Sequence, residues 1–155
     1  MLVYRIVHKK YAGALFAGGL AGRWNSEGKK VLYTAESVSL AYLETMHYRK
    51  GFGFNADFRI MIIRIPSNAA FLEVDTAELP GNWRDFRNYR ECRKIGDEWF
   101  DHAEHLCLKV TSAVVPENSN IVVNTLHKGY QEVEMIDTLD FIPDERLENI
   151  IKSYK

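Results

Sequence analysis

Two cysteines in 155 residues, Cys92 and Cys107, are too few for the dense disulfide framework of a small secreted domain, and neither belongs to a CxxC pair. Lone thiols of this kind fit reduced, structural cysteines in a cytoplasmic protein. Only four prolines occur, and no Pro/Gly/Ser-rich stretch, low-complexity tract or internal repeat divides the chain, so one domain over residues 1–155 is expected. No apolar run approaches the roughly 18 residues of a membrane span. The opening "MLVYRIVHKKY" is broken by Arg5, Lys9 and Lys10 and lacks the apolar core of a secretory signal. Charge of one sign is also missing. A formal net charge of -1 gives no whole-molecule pull toward nucleic acid or an anionic membrane, so direct binding to either is not expected and any basic site must be local.

What is present is core-forming material: 46% of residues are hydrophobic and 12% aromatic, enough for a compact domain of this length. "LVYRIV" and "KVLYTA" (30–35) read as short strands rich in β-branched and aromatic residues. "ESVSLAYLETMHYRK" (36–50) reads as a helix, with Ser37 as its N-cap and Arg49 and Lys50 suiting the C-terminal dipole, and "GFGF" ends it. "FRIMIIRI" (58–65), stopped by Pro66, predicts a strand covered on both faces. "LPGNW" is a turn signal, and Asp85 to about His102 is polar and helical in character. "HLCLKVTSAVV", "NIVVN" and "VEMIDTLDFI" add further strands. Strands outnumber helices and do not alternate with them regularly. The fold class expected is therefore α+β, a mixed β-sheet core with flanking helices.

Three features stand out chemically. Along the 36–50 helix, at about 100° per residue, Leu40, Ala41 and Leu43 mark the apolar stripe and Glu44 falls within it. A carboxylate there either reaches solvent at the stripe's edge or is used by the protein, because burial without a partner is costly. His47 shares this face and reads as a partly buried, hydrogen-bonded histidine. Arg23 lies among Gly18, Gly19, Gly22 and Gly28. Glycines let backbone approach a ligand and a guanidinium can grip a phosphate bidentately, yet the loop is neither GxGxxG nor GxxxxGK[ST]; an ordinary flexible loop with Arg23 in a surface ion pair is the simpler explanation. Ser112 sits in a strand with alternating Leu106, Leu108 and Val110, without the Gly-x-Ser-x-Gly elbow of a hydrolase. Asn124, closing the next strand, suits a cleft amide or a turn. "HAEH" spaces His102 and His105 by three but offers no third ligand, so no metal site is expected. Arg84, Arg87, Arg90 and Arg93 recur every three residues, as a solvated ridge paired with Asp85 and Glu91 or as a docking surface for an acidic partner or a phosphate.

Taken together, "GRWNSEGKKVLYTAESVSLAYLE" followed by "VTSAVVPENSNIVVN" resembles the RES-domain family, named for an arginine, a glutamate and a serine that fall here on Arg23, Glu44 and Ser112. The resemblance runs from "YRI" (4–6) through "NWR" (82–84) and "GDEWF" (96–100) to "DERL" (144–147), nearly the whole chain. Thr111 and Thr125 stand where the family often has proline, positions that shape backbone and carry no reactive group. The resemblance implies a fold similar to ADP-ribosyltransferases, the toxin half of a toxin–antitoxin pair, and NAD as substrate with no resident cofactor. It further implies a partner, an Xre-type helix-turn-helix antitoxin that covers the site; a homodimer or a larger complex with that antitoxin is compatible with it. The family's arginine, tyrosine, glutamate and serine carry over to Arg23, Tyr33, Glu44 and Ser112, and its asparagine to Asn124.

The chemistry of NAD agrees with so small a set. Nicotinamide is cationic while bound to ribose and leaves neutral, so it needs no general acid, and one carboxylate replaces the usual pair of a glycosidase. Glu44 then stabilises an oxocarbenium-like ribose, Arg23 holds the pyrophosphate, Tyr33 stacks on nicotinamide, and Ser112 orients Glu44 or a ribose hydroxyl. Trp24 is a cleft wall or, more simply, a core residue. Water, phosphate or a protein side chain would each accept ADP-ribose at such a site. The alternatives of another class are a non-catalytic binding module and a ribonuclease toxin, the latter disfavoured by the near-neutral charge and the want of a His/Lys/Glu cluster.

Overall fold

The structure, a computed structural model, describes residues 1–48, 56–147 and 149. Its strands are β1 (Leu2–His8), β2 (Val31–Ala35), β3 (Phe58–Arg64), β4 (Phe71–Glu73), β5 (Cys107–Thr111), β6 (Ser119–Asn124) and β7 (Glu134–Asp140), and its two longer helices are α1 (Val38–Tyr48) and α2 (Tyr89–His102). Among the described residues these strands form one seven-stranded sheet in the order β4-β5-β6-β2-β1-β3-β7. Only the β4–β5 pair is parallel; the others are antiparallel. The α+β expectation therefore holds. The join between β1 and β2 is thin, with one registered pair, Tyr4 opposite Ala35, where β1 and β3 share seven. The sheet thus has two wings, and α1, which leaves β2 after a two-residue connection, lies against β1 and β2 at the join.

Strand alternation sends Leu32, Met61, Ile63, Ile121 and Val123 to one face, where they are buried under the segments carrying Ala12, Leu106 and Val133. The opposite face meets both helices. Val31, Leu108, Val110 and Val122 pack beneath α2 with Trp24, Cys92 and Trp99, while Ile6 and Ala35 pack beneath α1 with Leu40, Ala41 and Phe141. Tyr33, Asn120 and Ser112 continue the alternation on this helix-covered face.

Ser37 caps α1 as expected: its Oγ accepts from Leu40 N at 3.1 Å. The apolar stripe is narrower than the sequence suggested. Leu40 and Ala41 are buried, but Leu43, on the far side of Leu40 from Ala41, is 38% exposed, and His47, whose bearing is close to that of Leu40, is exposed in the last turn of the helix. The bearing of Glu44, between Leu40 and Ala41, is that of the buried arc itself. Arg49, Lys50 and the "GFGF" stop lie outside the described residues. β3 departs from expectation in part. Met61 and Ile63 are fully buried, whereas on the other side Phe58 and Ile60 pack near α1 and Ile62 stays half exposed. α2 approaches the 22–26 loop closely through Gly96, where a Cβ would stand 1.9 Å from the carbonyl oxygen of Trp24.

Candidate functional site

Glu44 enters the helix-covered face from α1 and is met there by two donors. Ser112 Oγ donates to Glu44 Oε1 at 2.7 Å and Asn120 Nδ2 donates to the same oxygen at 2.5 Å. Ser112 is fully buried one residue past β5, and its Oγ also accepts from Val114 N at 3.1 Å and Val115 N at 2.9 Å. With its one proton directed to Glu44 and its oxygen saturated by two amides, this hydroxyl orients the carboxylate and is not a free nucleophile. Asn120, opposite both Ala35 and Val110, delivers its amide from the sheet floor. Glu44 Oε2 carries no hydrogen bond among the described residues.

Arg23 is engaged differently from a free phosphate grip. Its Nη1 donates to the carbonyl of Trp83, and Nη2 to the carbonyl of Arg84 at 2.9 Å and to the Tyr89 hydroxyl at 3.4 Å. The guanidinium lies over the Tyr89 ring, 4.2 Å from its centroid. Arg23 is therefore a clasp fastening the glycine loop to the segment that leads into α2. Arg93 supports the same loop from α2, donating from Nε to the Gly22 carbonyl at 2.7 Å. Tyr33 props it from the sheet: its hydroxyl donates to Asn25 Oδ1 at 2.8 Å and accepts from Trp24 N at 3.0 Å. Burial pushes the Tyr33 phenol up, so it stays protonated and keeps donating. Gly22 is required here, since a Cβ would lie 2.5 Å from that hydroxyl.

These groups form one bonded system. Arg23 holds the carbonyl of Arg84, Arg84 Nε donates to the Ala113 carbonyl at 2.9 Å, and Ala113 adjoins Ser112, which holds Glu44. Tyr33 joins through Trp24 and shares the sheet face with Asn120, two residue pairs away along the β2–β6 ladder. Arg23 itself makes no direct hydrogen bond to Glu44. Two expected site residues stand apart from the carboxylate. Asn124 is fully buried, its Nδ2 donating to the Phe100 carbonyl at 3.0 Å and its Oδ1 accepting from Leu126 N at 2.8 Å, so it ties α2 to the sheet. Four residues of strand, about 13 Å, separate it from Asn120. Trp24 is 3% exposed and packs against Trp83, with ring centroids 6.5 Å apart, as a core residue. Asn120 escaped the sequence reading, although its place two residues before Val122 in an alternating strand put it on the same face as Tyr33 and Val110.

Three of the four arginines share one surface. Arg84 stands apart and reaches Ala113, Arg93 reaches Gly22, Arg87 pairs with Asp85, and Arg87, Arg90, Arg93 and Lys94 border an open cleft of about 470 Å³ beside Tyr89.

A sequence model of the RES domain matches residues 2–144. The chain is 34% identical to a Photorhabdus laumondii protein named Toxin Res over 153 residues, covering 95% of this chain and 97% of that one. It is 30% identical to a Sphingobium protein named Prs ADP-ribosylating toxin over 138 residues, covering 88% and 84%. Its fold is shared with a chain from the crystal structure of the M. tuberculosis MbcT-MbcA toxin-antitoxin complex, at a TM-score of 0.70 and 17% identity over 98% of this chain and 88% of that one. The match to the domain from residue 2 to residue 144, together with relatives aligned almost end to end, places this chain in the RES domain family.

Proposed function

We propose that this chain is a toxin that consumes NAD by cleaving the bond between nicotinamide and ribose, held in check by an antitoxin of the Xre helix-turn-helix class. The observation that carries the reading is the clamp on Glu44: two donors fix Oε1, and Oε2 is left for a ligand. As nicotinamide departs, the ribose takes on positive charge, and a carboxylate already oriented stabilises that charge without reorganising at the moment of reaction. A group fixed by Ser112 and Asn120 also holds ribose hydroxyls in one geometry. Tyr33 and Arg23 shape the neighbouring wall, Tyr33 by propping the glycine loop and Arg23 by closing it onto residues 83–89. A site of this kind in a cell that makes the enzyme demands a blocking partner, which is the role assigned to the antitoxin.

A second reading, transfer of ADP-ribose to a protein, is favoured by the name of the Sphingobium relative. Both readings share the bond-breaking step and differ in the acceptor. Incubation of the purified protein with NAD labelled in its adenylate, with and without phosphate and cell extract, separates them. Free nicotinamide with label in small molecules supports hydrolysis or phosphorolysis, label on a protein band supports transfer, and no nicotinamide in any condition refutes both.

A further inference from the structure

The arginine of the "NWR" stretch has no part in the scheme above, yet it stands between the clasp and the carboxylate. We infer that Arg84 is a principal cation for the pyrophosphate of the dinucleotide, an inference that rests on NAD being the ligand. The comparison with Arg23 carries it. Arg23 has both Nη atoms tied to carbonyls and to Tyr89, so its paired edge cannot close on a phosphate without releasing residues 83–89. Arg84 is tied only through Nε, to the Ala113 carbonyl at 2.9 Å, and its Nη atoms carry no hydrogen bond or ion pair among the described residues. Its four Nη hydrogens therefore present the planar fork that binds phosphate oxygens bidentately. The anchor also fixes where that fork stands. Ala113 is the neighbour of Ser112, whose hydroxyl holds Glu44, so the Arg84 guanidinium is anchored one residue from the group that orients the carboxylate and is itself exposed. A dinucleotide with its ribose at Glu44 Oε2 has its pyrophosphate a few bonds away, toward such a cation. Arg84 is thus a positioning and binding residue; it takes no part in breaking the glycosidic bond.

The test is equilibrium binding of ADP-ribose to the full chain and to Arg84→Gln and Arg84→Lys, alongside steady-state kinetics with NAD. Loss of one charge-assisted bidentate contact predicts ADP-ribose binding and KM for NAD weakened about tenfold to a hundredfold in Arg84→Gln, with kcat within about threefold of the parent and Arg84→Lys intermediate. A fall in kcat with affinity unchanged would mean that Arg84 only braces the Ser112 turn, and unchanged affinity and kcat would mean that it does nothing here; either overturns the inference. Should Arg84→Gln fail to fold, Arg84→Lys gives the same two readings. If the parent protein releases no nicotinamide and binds no ADP-ribose, it is the NAD reading itself that fails.

Discussion

Removing the hydroxyl of Ser112 has two consequences that Asn120 allows to be told apart. Ser112→Ala deletes the donor to Glu44 Oε1 and the acceptor for Val114 N and Val115 N. Both amides lose that acceptor, and an unsatisfied amide costs at least about 1 kcal/mol. About 2 kcal/mol in a chain of this size lowers Tm by roughly 4–8 °C. Asn120→Ala removes the other donor to the same oxygen but supports no turn. Each variant loses one bond to Glu44 but only Ser112→Ala loses the turn amides, so the Tm of Asn120→Ala should lie roughly 4–8 °C above that of Ser112→Ala. Both variants free Glu44 from half of its clamp, and a lost hydrogen bond to a charged group, about 1.5–3 kcal/mol, corresponds to a drop in nicotinamide release of about tenfold to a hundredfold. The double variant should lose less than the product of the two single losses, because both act through one carboxylate. Calorimetry and a nicotinamide assay on the three proteins suffice. Full activity in Asn120→Ala, or a loss in Ser112→Ala that follows Tm alone, would refute a paired clamp.

Gly96→Ala puts a methyl group into the carbonyl of Trp24, and backbone cannot rotate away as a side chain can. Overpacking of about 3 kcal/mol or more should lower Tm by at least roughly 6 °C and reduce nicotinamide release together with it; a parent-like melting curve would show that α2 does not press on the loop. Burial pushes the Cys107 thiol up to about 12 and raises that of Cys92, so both should resist iodoacetamide in the native protein at pH 8 and react once it is unfolded. Because the folded value lies above the ordinary 9.0, the stability linked to Cys107 is whole below pH 9 and is lost as pH rises toward 12. Rapid native labelling would contradict this.

Much of the architecture was legible because it is local. Short runs rich in β-branched and other apolar residues located six of the strands, and Ser37 marked the start of α1 through a bond spanning three residues. The position of Glu44 followed from helix period alone. β4 was missed because three residues carry too little alternation to read, and it exists only through its parallel partner β5. Long-range partners left no trace in the pattern. Arg23 finds its carbonyls 60 and 61 residues away, so its glycine-rich surroundings suggested an open phosphate grip where the fold makes a clasp. Asn124 and Asn120 are equivalent in alternation, and only the placement of α1 and α2 over the two ends of β6 decides which of them meets Glu44.

The central claim is that the Glu44 carboxylate, oriented by its two donors, drives departure of nicotinamide. Glu44→Gln keeps shape and removes charge, so the most direct measurement is nicotinamide release by this variant beside the parent protein, with NAD binding followed on both. The account predicts NAD affinity within about threefold of the parent and turnover lower by at least about a hundredfold, the scale of a lost electrostatic stabiliser. Undiminished release of nicotinamide from Glu44→Gln would contradict it.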